Sequence, residues 1–233
     1  MKAKGLKVLV VGLGDIAMGY DFGRDDVTWT HLNAILKNDN FELVAGVDPD
    51  EATQKRFYKL TSTPVYSQVD DFLQSNQQSV DLVVISSPTK YHLCHYKKIK
   101  RLQPKLVLME KPLVVHDDEL ELLMAEIKTG PRVMVNLFRL YQSQINSVLK
   151  EQADSGPCRI SIRYSKSIEH SGIHFISLLL RHFGPCLKRE VITLHSCVAH
   201  SFTFAQANVL MLPALKNLDD NSMVVESSLG TTY

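Results

Sequence analysis

A short segment near the start of the chain has the spacing of a phosphate-binding turn. Residues 12–17 read GLGDIA, fit the pattern G-x-G-x-x-G/A and directly follow the apolar run KVLVV. The first glycine of this pattern permits a tight turn, the second lets the backbone approach a pyrophosphate, and the following helix presents N–H groups to the phosphates. We therefore predict a dinucleotide site; a glycine turn that binds no nucleotide is the alternative. The predicted contacts are Gly12, Gly14, Asp15 and Ile16.

An acidic residue follows the second apolar run and bears on the choice of dinucleotide. Asp48 comes directly after FELVAGV, and Pro49, Asp50 and Glu51 follow it without an arginine. A carboxylate at this position accepts from the ribose 2′-hydroxyl of NAD and repels the 2′-phosphate of NADP, so NAD is predicted and NADP is disfavoured. The number of residues between Ala17 and Asp48 exceeds the usual separation of about 20 residues. We interpret the polar residues 19–30 (GYDFGRDDVTWT) as an insertion that accounts for the difference.

Two more polar segments follow apolar runs. The sequence SSP comes at the end of DLVVIS, and EKP follows KLVLM. Ligands of doubly wound sheets bind outside the carboxyl ends of the strands. A lysine there could protonate or orient a substrate oxygen, although a surface lysine beside a proline turn is the alternative. The cofactor contacts predicted from these segments and the helix between them are Ser86, Ser87, Pro88, His92, Glu110 and Lys111.

Apolar runs and helical patterns alternate through residues 1–136. The runs lack the alternation of half-exposed strands, which is typical of a parallel sheet covered on both faces. Strands are predicted over residues 7–11, 41–47, 81–86, 105–109 and 132–136. Helices are predicted over residues 32–38, 51–60, 69–74, 92–101 and 117–128. We therefore expect an α/β protein whose residues 1–136 form an NAD-binding Rossmann domain with a doubly wound parallel sheet.

The pattern changes after residue 136. The run RISIRY at residues 159–164 alternates with period two, as in a strand with one buried face. Further strands are predicted over residues 190–200, 201–211 and 223–229, and helices over residues 140–152 and 172–183. We expect residues 137–233 to form an α+β substrate and oligomerisation domain with an open, largely antiparallel sheet. Because the chain ends soon after a strand-like run, this sheet is expected to be incomplete.

Composition excludes several classes of protein. Lys and Arg total 26 against 25 Asp and Glu, so no basic surface for nucleic acid or an anionic membrane is indicated. The four cysteines are far apart, and reduced thiols in the cytoplasm are the expected state. No apolar run approaches the roughly 20 residues that a membrane-spanning helix needs. We expect a cytoplasmic protein without nucleic-acid or membrane partners.

Four motifs together resemble the Gfo/Idh/MocA family of NAD(P)-dependent oxidoreductases. They are VGLGDIA, the VDP after the second predicted strand, SSPTKYH and MEKPL, in the family's order over nearly the whole chain. The E-K-P sequence after a buried strand is the most specific of them. The insertion and the later segment YSKSIEHSGIHF resemble a branch of the family found with surface-polysaccharide and sugar-nucleotide pathways.

The resemblance implies roles for residues in both halves. Lys111 matches the family's active-site lysine near the nicotinamide and the substrate. The family's Asp-x-x-x-His matches His170 and His174, so His174 keeps the acid/base position while the aspartate is replaced. The loop that carries Lys166 could supply a substitute partner, and both Lys166 and His170 are expected to bind substrate.

The histidines could alternatively bind a metal ion or lie on helix surfaces. His170 and His174 are four residues apart and could share a helix face, a spacing that also suits a metal. No third ligand is indicated, so a metal site is not expected. His31 and His95 are expected on helix surfaces.

The predicted function is hydride transfer between a nicotinamide cofactor and a carbinol of a sugar or sugar nucleotide, as in an NAD-dependent dehydrogenase acting on CH–OH groups. Two alternatives remain open: a catalytically silent NAD-binding regulatory protein, and an inactive truncated member, because family members are longer. A homo-oligomer formed through the C-terminal sheet is expected if that sheet is complete.

Overall fold

The computed structural model describes residues 5–75, 79–194, 197–214, 221–227 and 230–232. The chain divides into two compact units, Met1–Asn136 and Leu137–Tyr233. Each unit has its own apolar core: two clusters of buried side chains in the first and one in the second.

The first unit contains a sheet in which every described strand pair is parallel. Its strands are β1 (Leu6–Val11), β2 (Phe41–Val47), β3 (Val65–Tyr66), β4 (Leu82–Ile85), β5 (Leu106–Met109) and β6 (Arg132–Val135). They lie in the order β3-β2-β1-β4-β5-β6. This is the strand order of a doubly wound Rossmann sheet, which confirms the predicted fold class. The two-residue strand β3 was not predicted, because so short a segment has no periodic pattern.

Helices cover both faces of this sheet. They are α1 (His31–Leu36), α2 (Glu51–Thr61), α3 (Val69–Ser75), α4 (His92–Ile99) and α5 (Asp117–Lys128). Strand β1 shows why its sequence is apolar at successive positions. Val8 and Val10 belong to one core cluster, whereas Leu9 and Val11 belong to the other, and all four are fully buried. The strand therefore has no face exposed to solvent.

The second unit contains a mixed sheet. Its strands are β7 (Cys158–Tyr164), β8 (Lys188–Thr193), β9 (Val198–Thr203), β10 (Ala207–Pro213), β11 (Ser222–Ser227) and β12 (Gly230–Thr232). They lie in the order β12-β11-β7-β10-β9-β8. The β7–β10 pair is parallel and the other described pairs are antiparallel. The predicted largely antiparallel sheet is thus confirmed.

Two strand predictions in this unit were wrong in their extent. Residues 190–200 and 201–211 do not form two continuous strands, because β8 ends at Thr193, β9 ends at Thr203 and β10 begins at Ala207. The N–H of Leu194 donates to the carbonyl of Cys197 at 2.9 Å, and the N–H of Phe204 donates to that of Ala207 at 2.8 Å. The turn at residues 204–207 contains neither the glycine nor the proline that ordinarily marks one. Of the predicted strand 223–229, residues 228 and 229 lie outside the described residues.

Two helices pack on the inner face of the mixed sheet, the face whose side chains form the core cluster of this unit. They are α6 (Ser143–Ser155) and α7 (Ile173–Phe183). Helix α6 begins later than predicted because Phe138–Tyr141 form a separate 3₁₀ turn. A π-helical turn, Ile168–Gly172, precedes α7. In the part of the chain that the structure describes, no helix has the length and apolar character needed to cross a membrane.

Candidate functional site

The glycine turn is closed on one side and open on the other. Gly12 has φ +88°, and its N–H donates to the carbonyl of Val47 at 2.8 Å. A Cβ at Gly12 would lie 2.3 Å from the backbone nitrogen of Ser87, so only glycine fits. A Cβ at Gly14 would meet nothing within 4 Å. The open space beside Gly14 lies where the sequence pattern predicts the pyrophosphate.

The segment after the glycine turn is shorter than a regular helix. Residues Asp15–Gly19 form a single π-helical turn, in which the N–H groups of Ala17, Met18 and Gly19 all donate to the carbonyl of Gly14. The helix start expected after the glycine turn is thus a single turn, and the regular helix α1 begins only after the inserted residues 19–30. The N–H groups of Asp15 and Ile16 stand at the start of the turn, where helical N–H groups have no partner within the helix.

Asp48 joins the end of β2 to the glycine turn. Its Oδ2 accepts from the backbone N–H of Leu13 at 2.8 Å, and its Oδ1 accepts from that of Asp50 at 2.9 Å. A carboxylate has about four acceptor positions. The side chain can therefore accept further hydrogen bonds from a ribose hydroxyl while it holds the turn.

The serines after β4 pack against the glycine turn. The Ser86 hydroxyl donates to the carbonyl of Gly12 at 2.8 Å, and the Ser87 hydroxyl lies 2.9 Å from His95 Nδ1. Burial lowers the pKa of His95 to about 4. The ring is therefore neutral near pH 7, and its Nδ1 can accept a hydrogen bond from the Ser87 hydroxyl. Pro88 follows and precedes a short turn, Thr89–Tyr91.

His92 is fully buried and connects two loops. Its Nε2 lies 2.9 Å from the carbonyl of Ser87, and its Nδ1 lies 3.1 Å from that of Leu113. Burial lowers its pKa, although the two carbonyls and Glu110 act in the opposite direction. The side chain holds the loop after β4 against the loop after β5.

Glu110 is the centre of a buried hydrogen-bonded group after β5. Its Oε1 lies 2.8 Å from His31 Nε2 and accepts from Asn136 Nδ2 at 2.6 Å. Its Oε2 accepts from the backbone N–H of Lys111 at 3.2 Å. Burial alone would raise the pKa of Glu110, but its hydrogen bonds to His31 and Asn136 lower that pKa below its ordinary value. Lys111 is half-buried and precedes a cis bond to Pro112.

Three residues of the first unit have surroundings that the sequence did not indicate: His31, His95 and Asn136. The expectation that His31 lies on a helix surface was wrong, because its side chain is 11% exposed and faces Glu110. His95 is half-buried rather than on a surface. Asn136 had no predicted role. No spacing rule connects residue 31 with residue 110, so the pair could be found only from the fold.

In the second unit, His174 lies in the first turn of α7 and is 6% exposed. Its ring centroid is 4.5 Å from that of Phe138. His170 is exposed in the preceding π-helical turn, and its Nδ1 lies 3.3 Å from Ser171 Oγ. The two histidines differ in burial, and α7 begins only at Ile173, too late for both to lie on one face of a regular helix.

Lys166 is exposed in the loop between β7 and the π-helical turn, with φ +60°. The residue before it anchors this loop: the backbone N–H of Ser165 donates to Asn221 Oδ1, and Asn221 Nδ2 donates to Ser165 Oγ at 2.9 Å. These hydrogen bonds fix the backbone that directly precedes Lys166. Within the described ranges, no group of three or more His, Cys, Asp or Glu side chains could hold a metal ion.

A family model and several known proteins match this chain in sequence or in fold. The model of the Gfo/Idh/MocA family, described as an oxidoreductase family with an NAD-binding Rossmann fold, matches residues 6–137. A protein of Amycolatopsis mediterranei provisionally assigned as a UDP-kanosamine synthase oxidoreductase subunit is 25% identical over 154 residues. That alignment covers 66% of this chain and 39% of the relative, so the chain matches about two fifths of the relative's length.

Solved structures share the fold. The WlbA (WbpB) dehydrogenase from Thermus thermophilus, in complex with NAD and α-ketoglutarate, has a TM-score of 0.73 at 22% identity, over 97% of this chain and 82% of its own. The WlbA dehydrogenase from Bordetella pertussis, in complex with NADH and UDP-GlcNAcA, has a TM-score of 0.75 at 16% identity, over 95% and 75%. A myo-inositol dehydrogenase from Corynebacterium glutamicum has a TM-score of 0.79 at 16% identity, over 98% and 74%.

Proposed function

Because the chain belongs to the Gfo/Idh/MocA oxidoreductase family, whose Rossmann fold binds NAD, we propose that it is an NAD-dependent dehydrogenase acting on a CH–OH group of a sugar or sugar nucleotide. One observation carries the proposal: the glycine turn, Asp48 and the Glu110–Lys111 pair all follow strands at the carboxyl edge of one parallel sheet. This edge is where doubly wound folds bind nucleotides.

The first unit has the groups that NAD requires. In the proposal, the backbone at Gly12, Gly14, Asp15 and Ile16 binds the pyrophosphate, and Asp48 accepts from the adenosine ribose. Ser86, Ser87 and Pro88 form the wall after β4, while His92 and Glu110 hold the loops that present this wall and Lys111. NAD, when bound, supplies the acceptor or donor of a hydride.

The protein's own part in the reaction is orientation and proton transfer. An ammonium or amine at Lys111 can exchange a proton with the reacting hydroxyl, as general acid or base. His174 is the corresponding group in the second unit, and its imidazole is held against Phe138. Lys166 and His170 are proposed to bind the substrate.

The relatives support the substrate class. One is assigned to UDP-kanosamine synthesis, and another was crystallised with NADH and UDP-GlcNAcA. A nucleotide diphosphate attached to the sugar would give the enzyme an anionic handle distant from the reacting carbon. We propose a sugar nucleotide in preference to a free sugar on this basis.

We also propose that the protein forms a homo-oligomer through the outer face of its mixed sheet. Leu210 on β10 and Ile192 on β8 point to that face, and they are 37% and 40% exposed. Exposed apolar side chains on a sheet face favour pairing with another surface. The four cysteines are free thiols, which supports a proposed cytoplasmic location.

Calorimetric titration of NADH in the presence of individual UDP- and GDP-sugars tests the proposal. We expect NADH to bind alone and at least one nucleotide sugar to bind more tightly when NADH is present, because cofactor and substrate occupy one active site. NADH binding that no sugar nucleotide or free sugar influences would contradict the proposal and favour an NAD-binding regulator.

A further inference from the structure

The inserted residues 19–30 are organised around a buried carboxylate. Asp21, which is 3% exposed, accepts from the backbone N–H of Trp29 at 2.7 Å and of Thr30 at 3.0 Å. It also accepts from the Thr30 hydroxyl at 2.6 Å and from Asn33 Nδ2 at 3.0 Å. Burial alone would raise the pKa of Asp21, but these hydrogen bonds together outweigh burial and hold the pKa below its ordinary value. The insertion therefore has a fixed, ionised centre.

This carboxylate fixes the start of helix α1. Thr30 is the N-cap, and its hydroxyl accepts from the backbone N–H of Asn33 at 3.3 Å. Because Asp21 binds both the N–H and the hydroxyl of Thr30, the cap cannot rotate away without breaking two hydrogen bonds. His31 is the first helical residue after the cap. The position of its ring is thus set by the insertion.

His31 then contacts the buried group beside Lys111. Its Nε2 donates to Glu110 Oε1 at 2.8 Å, and the other oxygen of this carboxylate accepts from the Lys111 backbone N–H. Asn136, at the end of β6, holds Oε1 from a second direction. Asp21 is therefore connected to the backbone of Lys111 through the Thr30 cap, the first residue of α1 and the Glu110 side chain.

A buried pair of this kind can serve stability alone. Two features favour a role in positioning. The carboxylate binds the backbone of the residue proposed to carry the proton, and its partner His31 directly follows the insertion, at the start of α1, rather than belonging to the sheet. A substitution of His31 would affect Lys111 through one intervening side chain, that of Glu110.

We propose that the insertion acts as a positioning device for Lys111, with His31 as the residue that transmits its position through Glu110. The inference rests on the proposed function, because it assigns His31 to the same site. His31 is a positioning residue and is not proposed to touch substrate or cofactor.

Three variants test this role in steady-state kinetics. His31→Leu removes the donor to Glu110, His31→Gln restores an N–H donor, and His116→Leu changes an exposed histidine of the same unit as a matched control. We expect His31→Leu to lower kcat by about 10–100-fold, as displaced supporting groups do. KM for NAD should stay within about threefold, and His31→Gln should recover most of kcat.

A second readout needs no substrate. The rate at which an amine-acylating reagent labels Lys111, measured by peptide mass spectrometry relative to Lys90, reports on the Lys111 amine directly. In His31→Leu, the Glu110 carboxylate loses a donor that fixes it and holds the Lys111 backbone less firmly. The half-buried Lys111 side chain should then be more accessible and be labelled several-fold faster, while His116→Leu matches the wild type.

The outcomes separate this inference from the proposed function. Faster Lys111 labelling in a protein that turns over no substrate would support the positioning role and count against the dehydrogenase. Unchanged labelling would overturn the inference, even if the wild type is an active dehydrogenase. The inference would also be overturned if the fall in kcat came with weaker NAD binding and lower thermal stability and if His31→Gln did not restore kcat.

Discussion

The Oδ2 atom of Asp48 accepts a hydrogen bond from the backbone N–H of Leu13 at 2.8 Å, so one carboxylate connects the end of β2 to the glycine turn. The same group is proposed to bind the ribose of NAD. Its two roles are compatible because the bonds to Leu13 and Asp50 leave acceptor positions on both oxygens. Cofactor choice and the shape of the turn therefore depend on the same side chain.

The first prediction concerns cofactor preference. NADH should bind much more tightly than NADPH, and Asp48→Ala should narrow the difference, because it removes both the ribose acceptor and the charge that repels the 2′-phosphate. Fluorescence titration can use Trp29, the single tryptophan, as the reporter. Equal or tighter binding of NADPH to the wild type would contradict the prediction.

A matched pair of substitutions separates the two glycines of the turn. Gly12→Ala should lower the free energy of unfolding by more than about 2 kcal/mol, because a strained φ and a clash with the Ser87 backbone act together. Gly14→Ala should leave thermal stability nearly unchanged, since its Cβ meets no protein atom within 4 Å. Its effect should appear as weaker NAD binding.

Thermal unfolding and NADH titration of both variants check this pair. If Gly14→Ala bound NADH as tightly as the wild type, the pyrophosphate would not lie against this glycine. If Gly12→Ala were as stable as the wild type, the close approach to Ser87 would not be required.

The third prediction concerns proton transfer. Lys111→Ala and His174→Ala should each lower kcat by about 10²–10⁴-fold, which is the usual contribution of a general acid or base. NAD affinity should be nearly unchanged in both, because neither replacement alters the glycine turn or Asp48. Wild-type turnover by both variants would contradict these roles and favour a regulatory protein.

His170 stands where the family pattern has an aspartate. If His170 contacts the substrate, as proposed, both His170→Asp and His170→Ala should raise KM for the substrate and lower kcat, with NAD binding unaffected. An aspartate that merely replaced a packing residue would be tolerated or would assist His174. Unchanged kinetics in both variants would remove His170 from the site.

The fifth prediction concerns acid stability. Burial lowers the folded-state pKa of His95 from 6.5 to about 4. The unfolded chain therefore binds a proton below pH 6.5 that the folded chain resists, so the protein loses stability as the pH falls from about 6.5 towards 4. His95→Gln should lessen the fall in Tm over this range.

Thermal melts at pH 7.5 and at successively lower pH, with exposed His116→Gln as the control, would measure this difference. The same acid-dependent loss of Tm in His95→Gln and wild type would show that His95 is not responsible.

The fold was predictable where local pattern and environment agree. The run KVLVV is apolar at every position because β1 lies between two core clusters, and the period-two pattern of β7 follows from its single buried face. The turn between β9 and β10 was missed because its residues include no glycine or proline.

The site was predictable only in part, for a physical reason. The glycine turn and Lys111 follow directly from strands, so their edge of the sheet could be inferred. His31 meets Glu110 across 79 residues of sequence, and its position depends on an insertion organised by Asp21. Such a contact has no period or spacing that the sequence alone could show.

The most direct test of the account is NADH formation from NAD, followed by absorbance, with a panel of UDP- and GDP-sugars as substrates. We predict that at least one of them reduces NAD with turnover, and that Lys111→Ala slows this reaction by at least about 10²-fold while binding NAD normally. Binding of NAD without turnover of any sugar nucleotide or free sugar, measured as NADH formation or as NADH consumption in the reverse direction, would contradict the account.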